Sequence, residues 1–499
     1  MMDMGIQQRI VKRFFPVIPL LFFLGVAISL SGCRVGSSTP LGRVIEAVED
    51  TLSPLPEEAQ NQLKRFTKTY FTMANPVSTD PLDYFNYAFK RVRSKYVHVV
   101  EDKKLIDAAL RGVTSLESKD RSIAPEDFIQ SALYAMVASL DPHSSFMNKL
   151  DYKESFARSK GEFGGLGVEI TMQDDLIKVV APIEDTPAFR AGILTGDLIT
   201  HINGAATKGL RLPEAVRLMR GEPSTEITLT LRRSGRNDFE VNLVRALVQV
   251  RAVRWRTFER IGYVRVSRFS ERLEGGIKRA FSDIRAKLGR EPRGIILDLR
   301  NNPGGLLDQS ILLSDAFLNH GEIVSLRGRL DNSQRSFFAE RGDMARGVPM
   351  VVLINGGSAS AAEIVASSLQ FHARATVLGT RSFGKGSVQT IIPMPQEGAI
   401  RLTTALYYGP DGNTIQARGI TPDITIFSET NRAEQKRESD LPGSIPADLN
   451  KDAQNTNILM DARCPAINVP RYPNGDRILG CAIQFLKAGS KQAFLATHR

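Results

Sequence analysis

A multidomain α/β chain is the fold class that these 499 residues predict, and three observations predict it. The length exceeds what one hydrophobic core ordinarily serves, so two to four domains are expected. The hydrophobic pattern changes along the chain, from apolar spacings of three and four to short alternating strands. It then becomes buried strands that each lead through a glycine turn into a helix, which is how an α/β layer domain reads. A composition of 42% hydrophobic and 24% charged residues fits a globular protein.

Taken in order, residues 1–32 read as a secretory signal. The basic "QQRIVKR" precedes the apolar "FFPVIPLLFFLGVAISLSG", which ends at Cys33. The junction "LSGC" resembles a bacterial lipobox, with Cys33 as the residue that receives lipid. An uncleaved anchor helix is the alternative, weakened by Pro16 and Pro19. Both readings put the body of the protein outside the cytoplasm. The expected location is the cell envelope, on the periplasmic or extracytoplasmic face, as a membrane-anchored lipoprotein. The formal net charge is +11, and Arg9, Lys12 and Arg13 against Asp3 in the leader reduce it to +9 for the mature chain. The basic residues are scattered and no Lys/Arg stripe interleaves with aromatics, which argues against nucleic acid as a partner. Attraction to an anionic membrane surface stays open.

Residues 33–78 form a polar, Pro-dotted spacer with one helical stretch near "EEAQNQLKRF". The region 79–160 reads helical, as "DYFNYAFKRVRSKYV" and "PEDFIQSALYAMVASL" show, with Pro125 at a first-turn position before Glu126. Then "LDPHSSFM" breaks the pattern with a turn. Residues 161–249 make a compact module of short strands and two helices: strands around "QDD", a short helix in "TPAFRAG", an amphipathic helix in "LPEAVRLMRG" and a closing hairpin. Residues 250–428 alternate strand and helix, through "GIILDLRNNPGG" and "PMVVLINGGSASAAEIVASSLQ", with further strands in "ATVLGT" and "SVQTIIPM". Residues 429–499 form a polar linker and a small tail. With Cys33 given to lipid, Cys464 and Cys481 remain as one pair. Export favours their oxidation, and closing so short a loop would stabilise the tail by ~3 kcal/mol; two unpaired thiols are the alternative. No internal repeat is present.

The stretch "NGGSASAAEIVASS" (355–368) concentrates the chemistry, with four serines in fourteen residues. A serine after a strand and a glycine turn, opening a helix, stands at the carboxyl edge of the sheet, where α/β folds place ligands. The helix N-terminus offers free N–H groups and a positive dipole end that suit an oxyanion. Composition alone leaves open a simpler reading, in which Ser358 caps the helix and the alanines pack tightly. None of the six histidines announces itself as a base. His372, nearest in sequence, lies about three helical turns on, well over ~15 Å away at 1.5 Å per residue. Lys385, between two glycines in "RSFGKGSVQT", is the other candidate base, since a desolvated lysine loses its proton near neutral pH. A solvated loop lysine is the ordinary alternative. HExxH, CxxC, Walker and dinucleotide motifs are absent, and neither a metal nor any other cofactor is expected.

Together "NGGSASAAEI", "FGKGSVQT" and "LDLRNNPGG" resemble the motifs of the carboxyl-terminal processing peptidases, serine endopeptidases with a Ser/Lys dyad. The resemblance covers about residues 80–428, includes "LDPHSSF" and "LTTALYYGPDGNTIQARGITPDI", and departs from the commoner pattern at Ala362, where a third serine is frequent. It implies Ser360 as nucleophile, Lys385 as general base and Gln389 as the residue that orients it. On a strand, their separation of four keeps the last two on one face. It also implies backbone oxyanion donors at Ala361 and Gly305, and a core related to the crotonase/Clp-type layer fold.

The module resembles a PDZ domain, whose "GGLGV" loop (Gly165, Leu166, Gly167, Val168) would receive a peptide C-terminus added as a strand. Leu166 and Val168, with Val216 and Met219, are expected to line the pocket for an apolar last side chain; filling the module's core is their alternative role. The implied partners are exported or misfolded proteins with apolar C-termini and the membrane through the lipid anchor, with a homodimer and an activator protein left open. The rival reading is a catalytically silent PDZ scaffold or chaperone of the cell envelope. A hydratase-like acyl enzyme is weaker, given the export signal and the module.

Overall fold

The computed structural model describes residues 55–74, 78–115, 123–183, 186–210, 212–249, 251–330, 333–427, 436–447, 457–460, 463–469 and 472–498. The leader, Cys33 and most of the spacer lie outside the described residues, as do 428–435 of the expected linker. The chain divides into two units, Met1–Asn61 and Gln62–Arg499. The fold that carries the site lies within the second.

The expected helical region contains helices Asp80–Lys95, Asp102–Thr114, Pro125–Ala138 and Lys149–Lys160. Their buried residues recur at helical spacing: Phe85, Phe89 and Val92 on the first, Phe128, Ala132, Leu133 and Met136 on the third. Phe66 stacks on Phe85 at 3.8 Å between ring centroids. The break at "LDPHSSFM" is more than a turn. Ser145–Met147 is a strand paired antiparallel with Ala399–Tyr408, which stitches the helical region to the core.

The module is a six-stranded antiparallel sheet running Val168–Gln173, Leu176–Pro182, Leu198–Ile202, Glu226–Arg232, Phe239–Val244, with Ala205–Ala206 beside Leu198–Ile202. The "QDD" turn has Asp174 at φ 49° and Asp175 at φ 59°, the pair of left-handed residues that a tight hairpin needs. Glu162–Gly165 pairs with Ala246–Gln249, so the module's entrance and exit form a two-stranded stalk.

The core is a seven-stranded sheet in the order Val253–Phe258, Ile261–Val266, Gly294–Asp298, Met350–Ile354, Ala375–Gly379, Ile424–Phe427, Asn457–Met460. All pairs after the first are parallel. Both faces of such a sheet must be covered, and the central strands Gly294–Asp298 and Met350–Ile354 are buried throughout. One face packs against Leu273–Leu288 and Ala361–Phe371. The other packs against the tail, where Leu479, Ala482, Phe485 and Leu486 meet Tyr263, Ile296, Val351 and Leu353. Thus the core does not stop near residue 428. The tail supplies both the seventh strand and the second helical layer, held by a Cys464–Cys481 disulfide. Among the described residues no helix is long and apolar enough to cross a membrane.

Candidate active site

The strand Met350–Ile354 ends in Asn355 and a glycine turn, and the helix Ala361–Phe371 starts immediately after Ser360. The two candidate serines part company here. Ser358 is fully buried, its hydroxyl donating to Leu299 O at 2.8 Å and accepting from Asn355 N at 3.0 Å. It is a structural residue. Ser360 sits at the N-cap with φ 55° and ψ −116°. A non-glycine residue held there stores strain of ~1–3 kcal/mol, as seen where a side chain must be aimed.

What holds Ser360 in that geometry is Glu363, the third residue of the helix. Its carboxylate is completely buried. Oε2 accepts from Ser360 N at 2.7 Å and from Lys385 N at 2.9 Å; Oε1 accepts from Gly384 N at 2.7 Å and Ser382 Oγ at 2.5 Å. One carboxylate therefore ties the backbone of the candidate nucleophile to that of the candidate base. Burial pushes the Glu363 carboxyl up to about 7, against the pull of these four donors. Sequence reading passed over Glu363, although Ser-x-x-Glu before an apolar run is a capping-box signal.

Lys385 precedes the strand Ser387–Pro393 and does not lie in it. The even spacing of Lys385 and Gln389 presumes a shared strand, and only Gln389 lies in one, on the face of Ser387, whose Oγ accepts from its Nε2. The flanking glycines have steric causes. Gly384 adopts φ +98°, and a Cβ on Gly386 would lie 2.2 Å from Gln416 N. Burial lowers the Lys385 pKa, assisted by Arg401 and opposed by the carboxylates of Glu438, Asp141 and Glu363. The ammonium donates to no described residue. Gln389 Nε2 donates instead to Ser387 Oγ at 2.9 Å and Thr403 Oγ1 at 3.2 Å. Thr403 Oγ1 in turn donates to Asp141 Oδ1 at 3.1 Å.

A second missed residue is Glu438, in the stretch expected to be linker. It is fully buried, with Oε2 2.8 Å from His143 Nε2 and Oε1 accepting from Gln416 Nε2 at 3.0 Å. Nothing in a polar, Pro-dotted segment signals such a placement.

The loop Asn301–Leu306 runs past Ser360. A Cβ on Gly304 would lie 2.9 Å from Ser360 Cβ and 3.0 Å from Ala361 N, so only glycine allows this approach. Gly304 N is spent on Asn302 Oδ1 at 2.9 Å, whereas neither Gly305 N nor Ala361 N donates to a described residue. Ala359 N donates to Asn302 O at 2.9 Å, which locks loop and helix start together.

In the module, Gly165, Leu166, Gly167 and Val168 form the turn between Glu162–Gly165 and Val168–Gln173. Gly167 has φ +74°, and its carbonyl accepts from Ile183 N and Thr186 Oγ1. Leu166 and Met219 are 2% and 5% exposed and pack in the module's core, the alternative role that the sequence left open for them. Val168 and Val216 are half-buried. Among the described residues no group of three or more His, Cys, Asp or Glu side chains could hold a metal.

Residues 260–426 match the model of peptidase family S41, and residues 178–233 match that of the PDZ domain. The chain is 46% identical over 412 residues to a carboxy-terminal-processing protease of Bartonella bacilliformis, spanning 81% of this chain and 87% of that protein. It is 28% identical over 411 residues to a probable CtpA-like serine protease of Staphylococcus haemolyticus, spanning 82% and 72%. Among solved structures, a photosystem II D1 C-terminal processing protease aligns over 70% of this chain and 93% of its own, at 27% identity and a TM-score of 0.46.

Proposed function

The chain belongs to the carboxy-terminal-processing proteases of peptidase family S41 and carries a PDZ domain, and on that premise we propose that it is an exported serine endopeptidase that reads protein C-termini and cuts near them. Ser360 Oγ attacks the scissile carbonyl while neutral Lys385 Nζ takes its proton. The N–H groups of Gly305 and Ala361 hold the oxyanion. Collapse expels the amine of the C-terminal fragment, which receives the proton from Lys385, and leaves an acyl-enzyme on Ser360. Lys385 then takes a proton from water, whose attack frees the new C-terminus, and returns that proton to Ser360 Oγ as it leaves. Gln389 orients the lysine.

The single observation that carries this reading is Glu363, which binds the backbones of Ser360 and Lys385 with the same oxygen. The depressed pKa of Lys385 supports its role as a base at neutral pH, since only the unprotonated amine accepts. In apo enzymes the nucleophile–base contact is often long and tightens with substrate. The turn Gly165–Val168 receives the substrate's terminal carboxylate, with Val168 and Val216 at the side-chain pocket. Lipid on Cys33 anchors the enzyme at the extracytoplasmic face of a membrane, where exported or misfolded proteins with apolar tails reach it; a homodimer and an activator protein fit the same scheme.

The test uses residues 34–499 with a loosely folded protein ending in apolar residues, beside Ser360→Ala and Lys385→Ala. Cleavage by the parent alone, lost when the substrate's last residues are made acidic, is expected in the mass spectrum. Binding without cleavage by all three proteins would favour the silent scaffold.

A further inference from the structure

The tail has no part in the scheme above, yet it reaches the loop that bears one proposed oxyanion donor, Gly305. Asp476 ends the strand Tyr472–Asp476 and caps the helix Arg477–Ala488, its Oδ1 accepting from Leu479 N at 2.9 Å. The same carboxylate grips Arg300 with two bonds, Nη1 to Oδ1 at 3.0 Å and Nη2 to Oδ2 at 2.6 Å. Both side chains are 3% exposed. Arg300 also donates from Nε and Nη2 to Asp298, at 3.0 and 2.7 Å, while Arg265 Nη2 donates to the Arg300 carbonyl at 3.0 Å. Two arginines face two aspartates in a sealed site, so the charges balance only while Asp476 is present.

Arg300 opens the segment Asn301–Asn302–Pro303–Gly304–Gly305, and both ends of that segment are fixed from outside it. Asn301 N donates to Asn355 Oδ1 at 2.8 Å, and Phe269 N donates to Gly304 O at 3.0 Å. The upstream anchor is Arg300 itself. On the tail side, Cys481 in the helix is bonded to Cys464, and Arg477 Nη1 donates to Cys464 O at 2.8 Å.

We infer that Asp476 is a positioning residue for the oxyanion loop, acting through Arg300, and that the Cys464–Cys481 disulfide is the clasp that keeps it in register. This inference rests on the proposed roles of Ser360, Gly305 and Ala361. The tail is thereby a working part of the catalytic domain. It sets how well the loop meets the developing oxyanion, and leaves peptide capture by the module untouched.

Two substitutions separate this from helix capping. Asp476→Asn and Asp476→Ser both provide a good N-cap, since Asn, Asp and Ser rank together there. Only Asn keeps an oxygen within reach of Arg300. The full-length protein in detergent is assayed for kcat and KM on an unfolded protein substrate. A peptide aldehyde serves as probe: Ser360 Oγ bonds to its carbonyl carbon while Lys385 Nζ takes the hydroxyl proton, which leaves a tetrahedral hemiacetal oxyanion in the hole.

Asp476→Ser is expected to lower kcat and weaken the aldehyde by roughly 10- to 100-fold, with KM unchanged and Asp476→Asn in between. The Cys464→Ser/Cys481→Ser pair is expected to show the same signature, and it carries the test if Asp476→Ser does not fold. Folded Asp476→Ser with kcat and aldehyde affinity within twofold of the parent overturns the inference, and so does a rise in KM at unchanged kcat. A cysteine-pair variant with parental kcat overturns the clasp. If the parent itself neither cleaves nor binds the aldehyde, the reading of the active site falls and this inference with it.

Discussion

Replacing Glu363 by glutamine tests the centre of the site. The carboxylate accepts four hydrogen bonds, two at each oxygen. A glutamine keeps one oxygen and turns an NH2 toward the other two donors, which lose their acceptor. At ~1–3 kcal/mol per orphaned buried donor, the cost is about 2–6 kcal/mol. Against this stands relief from burying a charge. The pKa of Glu363 rises from 4.5 to about 7 on folding, and each unit corresponds to 1.36 kcal/mol, so ionisation in the folded state costs ~3 kcal/mol.

The sign follows from linkage. A group whose folded pKa is raised contributes its stability fully below pH ~4.5 and loses it as pH rises through about 7. The parent should therefore lose ~3 kcal/mol between pH 4.5 and 8 from this group alone, and Glu363→Gln should not. Urea unfolding at both pH values measures the difference. Activity has no such compensation. With the Ser360 and Lys385 backbones released from their shared oxygen, kcat should fall about 100-fold at unchanged KM. A variant with kcat within threefold of the parent, and a pH–stability curve parallel to it, would refute the tether.

Other expectations follow from neighbouring contacts. Activity should rise with pH as Lys385 loses its proton, and Glu438→Gln, which removes a carboxylate that raises the Lys385 pKa, should move that rise to lower pH in kcat profiles. Ser358→Ala should cost ~1–3 kcal/mol in thermal or urea unfolding and still take a fluorophosphonate label, whereas Ser360→Ala should take none. A label that persists in Ser360→Ala would remove it as nucleophile. In the module, Val216→Asp should weaken binding of an apolar-tailed peptide with the fold intact, while Met219→Asp should unfold the module, as circular dichroism and peptide titration would show.

Much of this was legible along the chain because periodicity and turn chemistry are local. Strand, glycine turn and helix around Ser360 lie within Met350–Phe371, one continuous stretch, and the family resemblance is what singled out Ser360, Lys385 and Gly305 as expected site residues. Other features were not. Where the strand begins was not legible: it starts at Ser387, after Lys385, so strand alternation speaks for Gln389 and not for the lysine. Leu166 and Met219 read equally well as pocket or core, because an apolar side chain in a small module has the same pattern in both roles. Glu363 was signalled by the capping box, but four converging donors were not.

What the sequence by itself determined is the order of the described parts: helices, module, layered core, and a serine at a helix start. Only the tertiary structure decided which distant groups share a site. Glu438 sits beside His143 across 295 positions and Asp476 grips Arg300 across 176. Buried charges must be paired wherever the chain supplies a partner, and folding chooses that partner by three-dimensional packing, which no spacing along the chain encodes.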